Sequence, residues 1–212
     1  MKRPTPRERE YWEALGRFVE GYAELEQAMS GLLWNLTKIS TPIARAVFSG
    51  VRAEAASQYI NRIFEATKVE PPWRAAFQEV CSRLGPITEA RNLIIHHETR
   101  RKRRSGDAVV TNKRVALNQK RLRERPMSAT ILDEMTADLD KIVAHLVILL
   151  WFSDGAPAGE IKFMRRVVYA EELASLWRYK PPQRPQPTAK KRRSVDRRKA
   201  QAPSIPPPAS DR

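Results

Sequence analysis

A single cysteine, Cys81, in a chain of 212 residues removes two kinds of architecture at once. No internal disulfide framework can form and no cysteine-rich metal site can be assembled, so a reducing, cytoplasmic setting is expected. Long apolar runs are also missing. The longest nearly uncharged one, IVAHLVILLWF at 142–152, falls well short of the ~20 residues that a spanning helix needs. It is expected to be a core or interface helix, and no membrane partner is expected. The opening MKRPTPRERE carries no apolar stretch of the kind found in secretory signals, so no export address is expected there. Also absent are a Gly-rich phosphate loop, a Ser-His-Asp grouping and zinc-ligand spacing. Neither a cofactor nor a metal is therefore expected.

Negative charge is in deficit. The chain has 39 Lys and Arg against 24 Asp and Glu, a net of +15 and a pI near 10.4, a balance that favours polyanionic partners and says nothing about fold. The excess is concentrated in two places. Residues 99–125 carry eleven basic side chains and two acids, and residues 180–212 carry ten and two, which leaves the rest of the chain close to neutral. A charge run alone is as often a solvated surface as a binding site. The second segment, PPQRPQPTAKKRRSVDRRKAQAPSIPPPASDR, has no aromatic residue and little apolar surface to offset ordering, so 179–212 is expected to be a disordered tail. Within it, KKRRSVDRRK reads as a nucleic-acid-binding arm or, in a eukaryote, as a nuclear address.

What remains is a body with 42% hydrophobic residues over the whole chain, patterned for helices. Thr5, Pro6 and Glu8 form a capping-box signature. The stripe Leu15, Phe18, Val19, Tyr22, Leu25, Met29, Leu33 and Leu36 then carries a helix to about Ile39. A second helical region spans about 42–67 with an interruption near SGVR, and KVEPP (68–72) reads as a loop. A third helix begins near Trp73 with Phe77, Val80, Leu84, Ile87 and Ile94 on one side, and Pro86 inside it predicts a kink or break. A small β-hairpin insertion is expected at about 107–118, turning around Thr111 and Asn112. A last long helix follows Thr130, its expected cap, with Asp133 and Glu134 in the first turn. Its stripe runs from Ile131 to Leu149; beyond Leu146 it is apolar all round, which suggests a second packing surface. A shorter helix over about 170–177 should pack back on the body. The expected class is all-α, a bundle of four main helices over 5–178.

One residue stands out against this pattern. Arg91 falls near the centre of the third helix's apolar face, where a lone guanidinium needs an acid or a solvated cleft. Glu24 points to solvent, but Glu26 lies on the first helix's stripe between Tyr22 and Met29, so an interhelical Glu26–Arg91 ion pair is expected. Asn92 and His96, four apart, share the adjacent edge of the same helix, while His97 turns to another face. A histidine near an arginine and an amide can move protons while the cation stabilises charge developing on phosphate. The basic run Arg100, Arg101, Lys102, Arg103 and Arg104 follows at once and suits phosphate contacts. A metal site from His96, His97, Glu98 and His145 is the weaker idea, because adjacent histidines diverge on a helix.

At RNLIIH (91–96) the chain resembles the HEPN superfamily, whose signature is Arg-x4–6-His, often with Asn after the arginine. The similarity extends to the layout over roughly 8–152: an early helix with an inward glutamate (FVEGYAELEQAMSGLL), the motif on a later helix, then a final amphipathic helix. The resemblance implies a metal-independent endoribonuclease acting on RNA. It also implies a homodimer with two motifs facing one composite site, in a toxin–antitoxin, anti-phage or RNA-processing setting, with a cognate antitoxin among the partners. Carried over, Arg91 would bind the scissile phosphate and Asn92 would orient the site. His96 would serve as acid/base for attack by the ribose 2′-hydroxyl, and Glu26 would hold Arg91. His97 also satisfies the longer spacing, and Glu98 stands where some toxin branches carry a tyrosine. A non-catalytic helical module that binds nucleic acid or a partner protein remains the alternative.

Overall fold

The first helix starts where its residue order dictates. In the computed structural model, Thr5 is the N-cap of α1 (Pro6–Thr37): its hydroxyl accepts from the Glu8 N–H, and the Glu8 carboxylate accepts from the Thr5 N–H at 2.8 Å. The helix ends at Thr37, with Lys38 in the left-handed region at φ 54° as its cap. The structure describes residues 4–101, 108–112 and 124–182. The chain divides into two units, Met1–Lys180 and Pro181–Arg212. Beyond Pro182 the expected disordered tail lies outside the described residues.

The described residues are mostly helical, with one small sheet. The second helical region is α2 (Thr41–Phe48) and α3 (Ala53–Ala66), parted at residues 49–52, which include the expected SGVR interruption. Next comes α4 (Pro71–His96), which begins two residues ahead of the expectation because both prolines sit in its first turn. Of the kink or break expected at Pro86, the break does not occur, and a single helix runs through it. A proline inside a helix forfeits one backbone hydrogen bond, but Leu84, Ile87 and Ala90 beside it are buried in the core, and that packing offsets the loss.

The hairpin expectation is corrected. Ala108–Thr111 is indeed a strand, β2, but it lies between β1 (Glu98–Arg101) and β3 (Glu124–Pro126), antiparallel to both. Its two edges are taken by β1 and by β3, so its partners lie outside 107–118. Residues 102–107 and 113–123 lie outside the described residues. The last long helix, α5 (Ala129–Ser153), is capped by Ser128, whose hydroxyl accepts from the Ile131 N–H at 3.2 Å. The cap is therefore not Thr130, and Asp133 and Glu134 fall outside the first turn. Beyond it lie α6 (Ala158–Phe163) and a π-helical segment (Met164–Val168), neither foreseen, and then α7 (Ala170–Ala174), shorter than expected.

Helix α5 lies along α1 in the same direction. Arg17 pairs with Asp133 at 2.8 Å near their starts, and Lys38 donates to the Ser153 carbonyl at 2.7 Å near their ends. Between these points Gly21 is buried against α5, with Thr136 and Leu139 side-chain atoms at an ordinary contact distance of 3.7 Å from where a Cβ would stand. The α4 helix runs antiparallel to both: Tyr22 meets Thr88, while Trp73 stacks on Phe152. The core between them holds Phe18, Leu25, Phe77, Ile87, Leu139 and Ile142. The stripes read from the sequence are largely these buried faces, although Val19 is exposed. The apolar end of α5 finds cover within the chain, where Phe152 stacks on Trp73 and Ile148 is buried. No helix among the described residues is long and apolar enough to cross a membrane.

Candidate functional site

Antiparallel packing sets the last turns of α4 beside the first half of α1. Arg91 is half-buried there, on the edge of the core. Its guanidinium carbon lies 5.2 Å from the centroid of the Tyr22 ring, and its Nη1 donates to Asn92 Oδ1 at 3.1 Å. One of five N–H donors is thus directed to the amide, and the charge is stabilised by the ring face. Beneath it, the buried Tyr22 and Thr88 hydroxyls share a hydrogen bond of 2.9 Å. Burial is the main cause that raises the Tyr22 pKa; the Thr88 bond and Arg91 lower it, while Glu26 and Glu54 raise it further.

Glu26 and Arg91 are therefore both electrostatic neighbours of Tyr22, yet the expected ion pair is absent. Arg17–Asp133 and Arg74–Glu65 are ion pairs in the structure, whereas neither an ion pair nor a hydrogen bond joins Glu26 to Arg91. Arg91 is held by a ring face and a neutral amide. This arrangement needs no carboxylate, because a half-buried guanidinium keeps part of its hydration.

Asn92 is half-buried and His96 is exposed, one helical turn apart in the final stretch of α4. His97 is the C-cap: its backbone is extended (φ −129°, ψ 161°) and its N–H donates to the Leu93 carbonyl at 3.0 Å. The helix ends between the two histidines, so they leave on different backbone geometries. His145 is elsewhere, on α5, with its ring 6.4 Å from that of Trp177.

The chain passes directly from His97 into β1, which carries Arg100 and Arg101. Arg100 is exposed and opposite Val109, on the face away from the buried Ala108 and Val110. Lys102, Arg103 and Arg104 lie outside the described residues. Arg125 in β3 is half-buried, its guanidinium carbon 5.9 Å from the Tyr179 ring centroid.

The structure thus brings Arg91 and Asn92 into contact, sets His96 a turn away, and leaves Glu26 near but unpaired. Reading by periodicity missed Tyr22 and Thr88. Tyr22 counts as apolar in a stripe, and only the meeting of α1 with α4 reveals its hydroxyl as a partner for Thr88. Compared with known proteins, the chain matches no protein-family model, no curated protein and no solved structure.

Proposed function

We propose that this chain is a metal-independent endoribonuclease of the HEPN type, cleaving RNA by attack of a ribose 2′-hydroxyl on the adjacent phosphate. The observation that carries the reading is the half-buried Arg91, tethered by Asn92 at 3.1 Å and backed by Tyr22, one to two turns before an exposed His96 on the same helix. A guanidinium oriented in this way can receive two phosphate oxygens and stabilise the charge of a pentavalent transition state. The His96 imidazole takes the 2′-hydroxyl proton, the 2′-oxygen bonds to phosphorus, and the bond from phosphorus to the 5′-oxygen breaks. The products are a 2′,3′-cyclic phosphate and a 5′-hydroxyl, the latter protonated by an acid. In a homodimer the second copy's motif supplies that acid. Arg100 and the basic run after it then add phosphate affinity without sequence preference.

The alternative, a non-catalytic module binding nucleic acid or a partner protein, draws support from the missing Glu26–Arg91 pair. Cleavage of RNA by the purified chain in excess EDTA distinguishes the two readings. Activity is expected to fall by about 10²–10⁴-fold in both Arg91→Ala and His96→Ala, with folding retained. RNA binding without cleavage, unchanged in His96→Ala, would replace the nuclease with the module. Mass measurement in solution tests the dimer separately.

A further inference from the structure

At the other end of α4, Trp73 faces α6 and the π-helical segment across a groove with a cavity of about 440 Å³, within the size range of ligand sites. Its lining divides by chemistry. Trp73, Ala158 and the buried Ile161 supply apolar surface; Lys162, Arg165 and Arg166 supply three exposed cations. The indole is half-buried and backed by Phe152, whose ring is 4.2 Å away and tilted by 21°, so the ring is fixed in position. Positions 162, 165 and 166 are three and four apart and share one face. None of the three makes an ion pair with a described residue, whereas neighbouring Arg74 is paired with Glu65 at 3.6 Å.

We propose that this groove binds one nucleotide of a single-stranded polynucleotide, with the base stacked against Trp73 and the phosphates held by Lys162, Arg165 and Arg166. Charge complementarity requires an anion, and the aromatic wall requires a planar group beside it; a nucleotide combines the two. Phe163 and Val167 are exposed on the same segment but four apart on a different face, so a vesicle surface meeting them would leave the groove empty. The site is separate from Arg91 and His96. From Trp73 to His96 the helix rises about 35 Å. The proposal therefore does not rest on the nuclease reading.

A labelled hexadeoxythymidylate tests it with the full chain, because a strand without 2′-hydroxyls is not cleaved by the proposed nuclease. A hexamer of abasic sites with the same phosphates controls for binding to the other basic segments. Fluorescence anisotropy is expected to show the thymidylate bound about tenfold more tightly than the abasic strand. That preference is expected to vanish in Trp73→Leu and in Arg165→Glu/Arg166→Glu, the second pair being at exposed positions that leave the core intact. Equal binding of both strands to the native chain, or a preference that survives the arginine pair, would overturn the proposal. Displacement by equimolar thymidine 5′-monophosphate would overturn the strand in favour of a free nucleotide. Binding to phosphatidylserine vesicles that is lost in the arginine pair, without preference between the strands, would assign these cations to a membrane instead.

Discussion

Arg91 lies on an apolar stripe, and its position alone demands some partner for the charge. The partner actually used, the Tyr22 ring with Asn92 at 3.1 Å, follows from how α1 and α4 meet. His145 shows the same dependence on neighbours from other elements. Its pKa lies below the ordinary 6.5, first because of burial, then through Lys141 and Arg165, with Glu79 opposing. A histidine that is harder to protonate when folded contributes stability above the unfolded pKa. That contribution is lost as pH falls from about 6.5 toward the folded pKa, where the unfolded chain binds the proton first. Urea midpoints measured at pH 7.5 and pH 5.5 should therefore fall with acidity, and fall less in His145→Gln. An identical drop in the variant would place the linkage on other groups. The pattern of residues around 91–96 made this candidate site half legible: the motif and its spacing are local, whereas the ring beneath the guanidinium is not.

Element boundaries were legible where a side chain caps its own helix. Thr5 and Glu8 act within one turn, so their signature reads correctly. The start of α5 offers two hydroxyls, Ser128 and Thr130, and periodicity does not choose between them. In the structure Ser128 accepts from Ile131, while Thr130 is exposed within the first turn. Ser128→Ala should lower unfolding stability by about 1 kcal/mol, and Thr130→Ala should change it by less than about 0.5, as measured by urea denaturation. The reverse order would show that the cap is Thr130 after all. Pro86 teaches the opposite lesson about α4. Its local cost argues for an interruption, but the buried residues on either side make continuity the lower-energy outcome. The strands fail for a related reason: β2 finds both of its partners outside the window that suggested a hairpin.

At the scale of the whole unit, one buried carboxylate closes the fold. Asp138 on α5 accepts from the backbone N–H groups of Arg178 and Tyr179 at 2.8 and 2.9 Å. Nearby, the Nζ of Lys141 donates to the Ser175 carbonyl and sits 4.4 Å from the Trp177 ring centroid, and Trp177 Nε1 donates to Glu79 at 3.1 Å. The segment after α7 is thereby fastened across α4 and α5. Asp138→Ala leaves two backbone donors unpaired, the Tyr179 N–H buried and the Arg178 N–H part-buried. It should cost on the order of 3 kcal/mol and expose the bond after Arg178 to faster trypsin cleavage in the native state. Unchanged stability and cleavage would show that water replaces the carboxylate without loss.

By itself the sequence determined the helical character of the body, the first cap, most buried stripes and the RNLIIH motif, because each depends on residues within about four positions of one another. The tertiary structure decided which faces meet. It set α5 parallel to α1, put Tyr22 rather than Glu26 against Arg91, tied Asp138 to residues forty positions away and set Trp73 beside the basic face of the π-helical segment. The physical reason is that a helix's periodicity encodes that one face must leave water, while the identity of the surface that covers it is settled only by packing between elements.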